Sequence, residues 1–380
     1  MEKVKILWSG ITGRTGREAI ELAKNSDNVE IVAGLSRNNE SYYNYDELEN
    51  IKEDFDVIVD FSHKDSFDKV LGFALKVKKP IVIGTAGLTE EQMKRFEEVS
   101  NIIPVFRGGN FRFDVKKFID EVVEYAKKSE KESFDLIETH YKTKKVPSET
   151  AKVVAKRVLD ETGKKVNINS YLEYDELIND WKVDNLECRV VGFKELAENV
   201  LEIAKMMKDK TPSGVYDLDR LLKEQELIDL YNFLIEAKKG TYANGTAEKV
   251  NPTRRGSRDY EYTKDKWTYH DTYFGGTDFQ GQEVVYQQED TPIWGMVYYG
   301  RTLDENLSEE AMDNALRPAL MQVGQDDTIP VRGPKEFENQ GYKYTFEVTG
   351  DLTNFEGEET IEKENKKIYT LKCHGGIIRR

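Results

Sequence analysis

The sequence predicts an α/β chain in two parts: a parallel sheet with helices on both faces over roughly the first 222 residues, then an antiparallel-sheet-rich α+β region. Two observations predict it. Between residues 3 and 105 short apolar runs alternate with amphipathic stretches, the strand–helix–strand order that builds parallel sheets. After Lys223 one helical stretch gives way to segments rich in Gly, Tyr and Trp with strand-like alternation. At 380 residues the chain has room for two or three domains.

The elements follow in order. Strands are expected at residues 4–8, 29–33, 57–61, 81–83 and 102–106, with helices at 14–24, 66–77 and 90–99 between them. A helix over 114–128 and a strand over 134–140 come next. A loop over 141–148 then leads to a helix over 150–160. Alternation returns in short strands from 167 to 191, a helix spans 193–207, and Gly214-Val215-Tyr216-Asp217-Leu218 closes the region. A further helix is expected over 223–237, with the domain boundary near 222. The second part repeats itself weakly: Phe279-Gln280-Gly281-Gln282-Glu283 returns as Phe355-Glu356-Gly357-Glu358-Glu359. Two similar β-hairpins in one sheet would account for it. Turn chemistry explains these glycines and acids more simply than a paired ligand-binding surface does.

Composition narrows the function classes. Hydrophobic content of 38% beside 33% charged residues suits ordinary globular cores. The formal net charge is −15, and neither part has the basic excess that a nucleic-acid backbone demands. No run approaches the ~18 apolar residues of a membrane span, and no apolar stretch follows the first residues as in a secretory leader. Cys188 and Cys373 form no CxxC pattern, so a reduced, cytoplasmic protein is expected.

The chemistry starts at the end of the first strand. Gly10-Ile11-Thr12-Gly13-Arg14-Thr15-Gly16 lies between an expected strand and an expected helix. Glycine there lets the backbone approach a pyrophosphate, whose charge sits at the free N–H groups of the helix start. Tight strand-to-helix turns also need glycine for local reasons, but the context favours a dinucleotide and a Rossmann-type sheet. The second strand ends in Leu35-Ser36-Arg37-Asn38, with no carboxylate for a ribose 2′-hydroxyl. Arg37 offers a planar cation for a 2′-phosphate, unless it is simply a solvated loop residue. NADPH is therefore expected over NADH, with NADH still open.

Further motifs resemble one family. Asp56-Val57-Ile58-Val59-Asp60-Phe61-Ser62 and Ile81-Val82-Ile83-Gly84-Thr85-Ala86-Gly87-Leu88 are similar to strand ends of dihydrodipicolinate reductase. Glu138-Thr139-His140-Tyr141-Lys142-Thr143-Lys144, followed by Pro147-Ser148-Glu149-Thr150-Ala151, resembles its Glu-x-His-His-x-x-Lys … Pro-Ser-Gly-Thr-Ala. Together with Gly214-Val215-Tyr216-Asp217-Leu218, the resemblance covers nearly all of residues 3–222.

It implies NAD(P)H-dependent reduction of 4-hydroxy-tetrahydrodipicolinate, a cyclic imine dicarboxylate, in lysine and diaminopimelate synthesis. A dinucleotide-binding domain is implied at 1–110 plus 193–222, an α+β substrate and assembly domain at 111–192, and a separate domain at 223–380. The family builds homo-oligomers on that middle sheet, which is shorter than usual here. Gly10, Ile11, Thr12, Gly13, Arg14, Thr15, Arg37, Phe61, Gly84, Thr85, Ala86 and Phe106 would line the cofactor. Lys144 would act as general acid and His140 would polarise the site or assist proton transfer. Tyr141, Ser148, Glu149 and Thr150 would hold the substrate, hydroxyls and helix-start N–H groups forming a carboxylate cradle.

This chain departs from the pattern in several places. Tyr141 replaces the second histidine, and Glu149 replaces the cradle glycine with a carboxylate that would repel an anion unless it points away. The loop before Pro147 is one residue shorter. Phe106-Arg107-Gly108-Gly109-Asn110 replaces Phe-Ser-x-Gly-Val. Those changes leave two further readings: a dinucleotide-binding regulatory module without turnover, or a reductase of another cyclic imine acid.

Residues 226–380 resemble a bacterial domain family of unassigned function, found after helix-turn-helix segments in regulators. The carriers are Tyr269-His270-Asp271-Thr272-Tyr273-Phe274-Gly275-Gly276, Pro292-Ile293-Trp294-Gly295-Met296-Val297-Tyr298-Tyr299-Gly300-Arg301, Arg332-Gly333-Pro334 and His374-Gly375-Gly376. His270 with Asp271, and Cys373 with His374, fall short of the three or four ligands a zinc site needs, so no metal is expected. Trp267, Trp294 and the tyrosines read as sheet core.

Overall fold

The computed structural model describes residues 2–108, 111–211, 213–287, 291–304 and 308–379. They form two compact units, Met1–Lys223 and Glu224–Arg380.

The first unit opens with β1 (Val4–Ser9), α1 (Arg14–Lys24), β2 (Val29–Leu35), β3 (Val57–Asp60), α2 (Lys64–Val77), β4 (Ile81–Ile83), α3 (Glu90–Ser100) and β5 (Pro104–Arg107). It continues with α4 (Phe113–Lys128), β6 (Ser133–Tyr141), α5 (Glu149–Thr162), β7 (Lys165–Tyr174), β8 (Ile178–Val183), β9 (Leu186–Val191), α6 (Lys194–Met207) and β10 (Gly214–Tyr216). Six strands make one all-parallel sheet in the order β10-β5-β4-β3-β1-β2. Ile6, Leu7 and Trp8 of β1 are all fully buried, as a strand covered by helices on both faces requires. The strand order reverses beside β1, which puts the carboxyl ends of β1 and β3 together at the switch point where such sheets bind ligands.

The other four strands form a mixed sheet, β7-β6-β8-β9, in which β6 and β7 run parallel and the rest antiparallel. It packs with α4 and α5 around a core that includes Val122, Phe134, Val154 and Trp181.

Local chemistry moved two expected boundaries. The fifth strand starts at Pro104 because the amides of Ile102 and Ile103 donate back to the Val99 carbonyl and finish α3. The helix expected over 223–237 runs as α7 (Leu218–Gly240). It begins earlier because the Asp217 carboxylate accepts the Arg220 amide at 2.8 Å, an N-cap.

The second unit contains β11 (Arg258–Lys264), β12 (Trp267–Gly275), β13 (Phe279–Gln287), β14 (Thr291–Thr302), α8 (Glu309–Leu320), β15 (Glu336–Asn339), β16 (Tyr342–Asp351), β17 (Asn354–Lys363) and β18 (Lys366–Ile377). All eight strands pair antiparallel in the order β11-β12-β13-β14-β18-β17-β16-β15. The sequence repeat is two hairpins, β13–β14 and β17–β18, joined through β14 and β18.

Turn chemistry is the wrong account of its glycines and acids, which lie inside strands. A Cβ at Gly281 would sit 2.5 Å from the Tyr298 hydroxyl, and one at Gly357 would sit 2.6 Å from the Phe346 ring. These glycines make room for rings that cross the sheet. Glu283 and Glu359 are buried on it.

Candidate active site

The glycine turn is shaped by close backbone approach. Gly10 has φ +79°, and a Cβ there would lie 2.3 Å from the Phe61 carbonyl oxygen at the end of β3. A Cβ on Gly16 would lie 2.3 Å from the Ile11 carbonyl oxygen. Both positions therefore demand glycine. Gly13 starts α1, and no side chain caps that start, so its first-turn amides face outward without an intrahelical acceptor. An anion fits there.

The structure corrects part of the expected cofactor set. The amides of Gly10 and Ile11 both donate to the Leu35 carbonyl, at 3.1 and 3.2 Å, and the Ile11 side chain is fully buried. The amides of Gly10 and Ile11 are therefore engaged in shaping the turn and are not free to donate to a phosphate. The Thr12 and Ser36 hydroxyls lie 3.2 Å apart, joining the turn to the end of β2. Arg14 and Gly13 are exposed there, Thr15 is buried, and the Arg14 guanidinium lies over the Phe193 ring at 4.4 Å. Arg37 is exposed beyond Ser36. It donates to the Ser66 hydroxyl at 2.9 and 3.2 Å and lies 3.6 Å from Asp65.

Behind the switch point lies a carboxylate that sequence reading did not single out. Asp60 is fully buried and accepts from the hydroxyls of Ser9 at 2.7 Å and Thr85 at 2.8 Å. Burial raises its pKa, against the opposing hydrogen bonds of Ser62, Ser9 and Thr85. The Thr85 hydroxyl also accepts the Ser62 amide, so Thr85 ties β3 to the chain after β4. The Phe61 ring rests on Gly84, where a Cβ would come within 2.3 Å of it. Phe61 is half-buried and Ala86 exposed, so both present surface beyond the carboxyl ends of β3 and β4. Phe106 does not: it is fully buried against the Phe111 ring, 5.2 Å between centroids, and is core.

The second cluster stands on β6 and the start of α5. Alternation along β6 turns Glu138 and His140 to the same inner face, and both are fully buried. Glu138 gathers four groups. Its carboxylate accepts the Ser148 amide at 3.0 Å, the Ser148 hydroxyl at 2.5 Å, the Ser170 hydroxyl at 2.5 Å and His140 Nε2 at 2.9 Å. Burial works to raise its pKa, yet Ser148, Ser170 and His140 more than offset this, and the carboxyl sits below its usual range. The Ser148 hydroxyl also accepts from Trp181 Nε1 at 3.0 Å and caps α5 through the Ala151 amide at 3.2 Å.

Two expectations are corrected by that network. Ser148 has its hydroxyl fully engaged and cannot also cradle a substrate. His140 is enclosed between Glu138 and the edge of Trp181 rather than open to a ligand. Its Nδ1 is buried without a hydrogen-bond partner among the described residues.

The loop and helix start present the remaining groups. Tyr141 and Lys144 are half-buried, and the Lys144 ammonium lies 5.7 Å from the centre of the Tyr141 ring. Burial lowers the Lys144 pKa, with the Glu138 charge opposing. Lys142 pairs with Asp175 at 2.7 Å and Lys152 with Glu149 at 2.7 Å, but Lys144 forms no ion pair among the described residues. The Glu149 carboxylate, in the first turn of α5, is exposed and held by Lys152. Thr150 is half-buried in the first turn of α5.

Glu138 carried a legible signal, an acid two residues before a histidine on a strand. Ser170 and Trp181 carried none. The glycine turn, the Asp60–Thr85 contacts and the β6–α5 cluster are each assembled, but no hydrogen bond or ion pair among the described residues joins residues 138–150 to residues 84–86.

The comparisons with known proteins bear on both parts of the chain. Residues 4–111 match the N-terminal domain of dihydrodipicolinate reductase, and residues 271–378 match a domain of unknown function, DUF5680. The 4-hydroxy-tetrahydrodipicolinate reductase of Caldanaerobacter subterraneus subsp. tengcongensis is 36% identical over 155 residues, 40% of this chain and 62% of that protein. The chain thus spans somewhat under two thirds of that relative. The enzyme of the same name from Clostridium tetani is 30% identical over 176 residues, 45% of this chain and 67% of that protein. The one from Clostridium perfringens SM101 is 27% identical over 251 residues, 58% of this chain and 98% of that protein. The chain belongs to the dihydrodipicolinate reductase family, a family of NAD(P)-dependent oxidoreductases, and carries behind that part a domain of unknown function.

Proposed function

We propose that the first unit reduces 4-hydroxy-tetrahydrodipicolinate with NADPH, and that Lys144 supplies the proton. One observation carries this reading: Lys144 is half-buried over the Tyr141 ring, its pKa lowered by that burial, with no carboxylate paired to it among the described residues. A desolvated ammonium without a counter-ion suits an anionic ligand that accepts a proton.

The residues present fit a dinucleotide. The uncapped start of α1 supports the pyrophosphate, and the Thr12 hydroxyl lies at the same turn. Arg37 would meet a 2′-phosphate, which would displace Asp65 from its guanidinium. Phe61 and the backbone from Gly84 to Ala86 would bound the nicotinamide side. Once the 4-hydroxyl has left as water, the bound cofactor would supply a hydride to C4, the far end of the resulting conjugated imine, whose electron pair would move to the ring nitrogen. Lys144 Nζ gives up a proton to the nitrogen that gains the electron pair, and the amides of Glu149 and Thr150 at the α5 start receive a substrate carboxylate. Glu138 and His140 act as positioning groups, because they hold Ser148 and the start of α5.

The test is turnover of freshly made 4-hydroxy-tetrahydrodipicolinate, followed as loss of NADPH absorbance. Lys144→Ala should lower kcat by roughly 10²–10⁴-fold while NADPH still binds. An unchanged rate would remove Lys144 from the chemistry. The burial of His140 favours a second reading, a protein that binds dinucleotide without turnover. Tight NADPH binding by calorimetry beside no measurable reduction would select it.

A further inference from the structure

The chain leaving β2 and the start of α2 meet at Arg37. Two of its guanidinium nitrogens are engaged. Nε and Nη2 both donate to the Ser66 hydroxyl, at 3.2 and 2.9 Å, and Ser66 is buried, so it fixes the orientation of the fork. One edge of the guanidinium is thereby taken. The remaining nitrogen, Nη1, lies 3.6 Å from the Asp65 carboxylate.

His63 lies beside the same carboxylate, at 3.0 Å, and caps α2. Its Nδ1 accepts the Asp65 amide at 3.3 Å. A ring nitrogen that accepts a hydrogen bond carries no proton, so in this arrangement His63 does not neutralise the acid. Arg37 is therefore the cation that Asp65 faces among the described residues. Asp65 also sits in the first turn of α2, where the helix dipole favours the ionised form.

An arginine recognises phosphate best through two parallel N–H groups. With the Nε–Nη2 edge on Ser66, a 2′-phosphate is left the Nη1 side, where Asp65 stands. Both groups are anions, so they contend for one nitrogen and repel each other as they do. NADH has no 2′-phosphate and meets no such contest.

We propose that Asp65 is a specificity-determining residue of the cofactor site: it competes with the 2′-phosphate for Arg37 and so narrows the preference for NADPH over NADH. This rests on the reading of the first unit as a dinucleotide-dependent reductase in which Arg37 meets that phosphate. The side chains of Arg37 and Asp65 are 44% and 61% exposed, so solvent screens the contest and its size is moderate.

Calorimetric titration of the full chain with NADPH and with NADH at low ionic strength tests it. Asp65→Asn should tighten NADPH about three- to tenfold, the range for one exposed charge against a doubly charged phosphate. It should leave NADH unchanged. Asp68→Asn removes the same charge further along α2, where Asp68 pairs with Arg95 at 3.2 Å, and should alter neither affinity. Near 1 M salt, with a screening length of about 3 Å, the gain in Asp65→Asn should disappear. Arg37→Ala should weaken NADPH alone. An NADPH-to-NADH ratio that Asp65→Asn leaves unchanged overturns the proposal, as does a gain shared by NADH or reproduced by Asp68→Asn. Those outcomes leave the reductase reading standing. A parent protein that binds neither dinucleotide removes that reading, and this inference with it.

Discussion

At the scale of single residues, the account turns on which groups of the family motif face a ligand. Lys144 and His140 lie four positions apart, yet one is half-exposed and the other sealed. Strand alternation decides it for His140, because position 140 shares the inner face with Glu138 and Leu136. Lys144 lies beyond the strand end, in the loop, where its stem can be partly covered while its head stays available. This makes a pH prediction. Donation needs the protonated amine, and burial holds the Lys144 pKa below the ordinary 10.5. The rate should therefore be full on the acid side and fall as pH rises through that lowered value. A plot of kcat/KM against pH checks it, and a profile flat until the ordinary lysine range would count against Lys144.

At the scale of elements, α5 is where the resemblance and the structure part most clearly. A substrate-binding serine could be lost with little effect on folding. Ser148 instead caps α5 and supplies a donor to Glu138 and an acceptor to Trp181. Ser148→Ala should cost about 2–4 kcal/mol, a cap of ~1 plus the unpaired buried groups. Urea unfolding of the first unit measures this. A normal stability with a raised substrate KM would return Ser148 to the cradle.

The same comparison shows what the sequence makes legible. The glycine turn could be read because all of its parts are contiguous and its demands are local: a positive φ at Gly10 and a backbone contact at Gly16. The parallel sheet could be read because its helices and strands alternate with distinct periods. The Glu138 cluster could not, since Ser170 is 32 residues away along the chain and Trp181 lies on an antiparallel neighbour strand. Nor could the meaning of Gly281 and Gly357. Glycine beside acids signals turns far more often than a ring crossing a sheet, and only the folded sheet brings the rings of Tyr298 and Phe346 over them.

At the scale of the whole molecule, each unit has its own core. One is built on Trp294, Tyr344 and Tyr369, and the others on Trp8, Phe67 and Phe134. The second unit's cluster shares no buried residue with those of the first, so the two units can unfold separately. Calorimetry should show two transitions. NADPH at a hundred times its Kd should add about 2.7 kcal/mol to the first unit's transition and leave the other where it was. A single transition that moves as a whole would show the units to be coupled.

The claim that an ammonium at position 144 meets a di-acid is tested most directly by a crystal structure with NADPH and pyridine-2,6-dicarboxylate, a planar stand-in for the substrate. The account predicts Lys144 Nζ within about 3.2 Å of a ligand atom, with one ligand carboxylate on the amides of Glu149 and Thr150. A ligand bound elsewhere, or a Lys144 side chain directed away from it, would contradict the assignment.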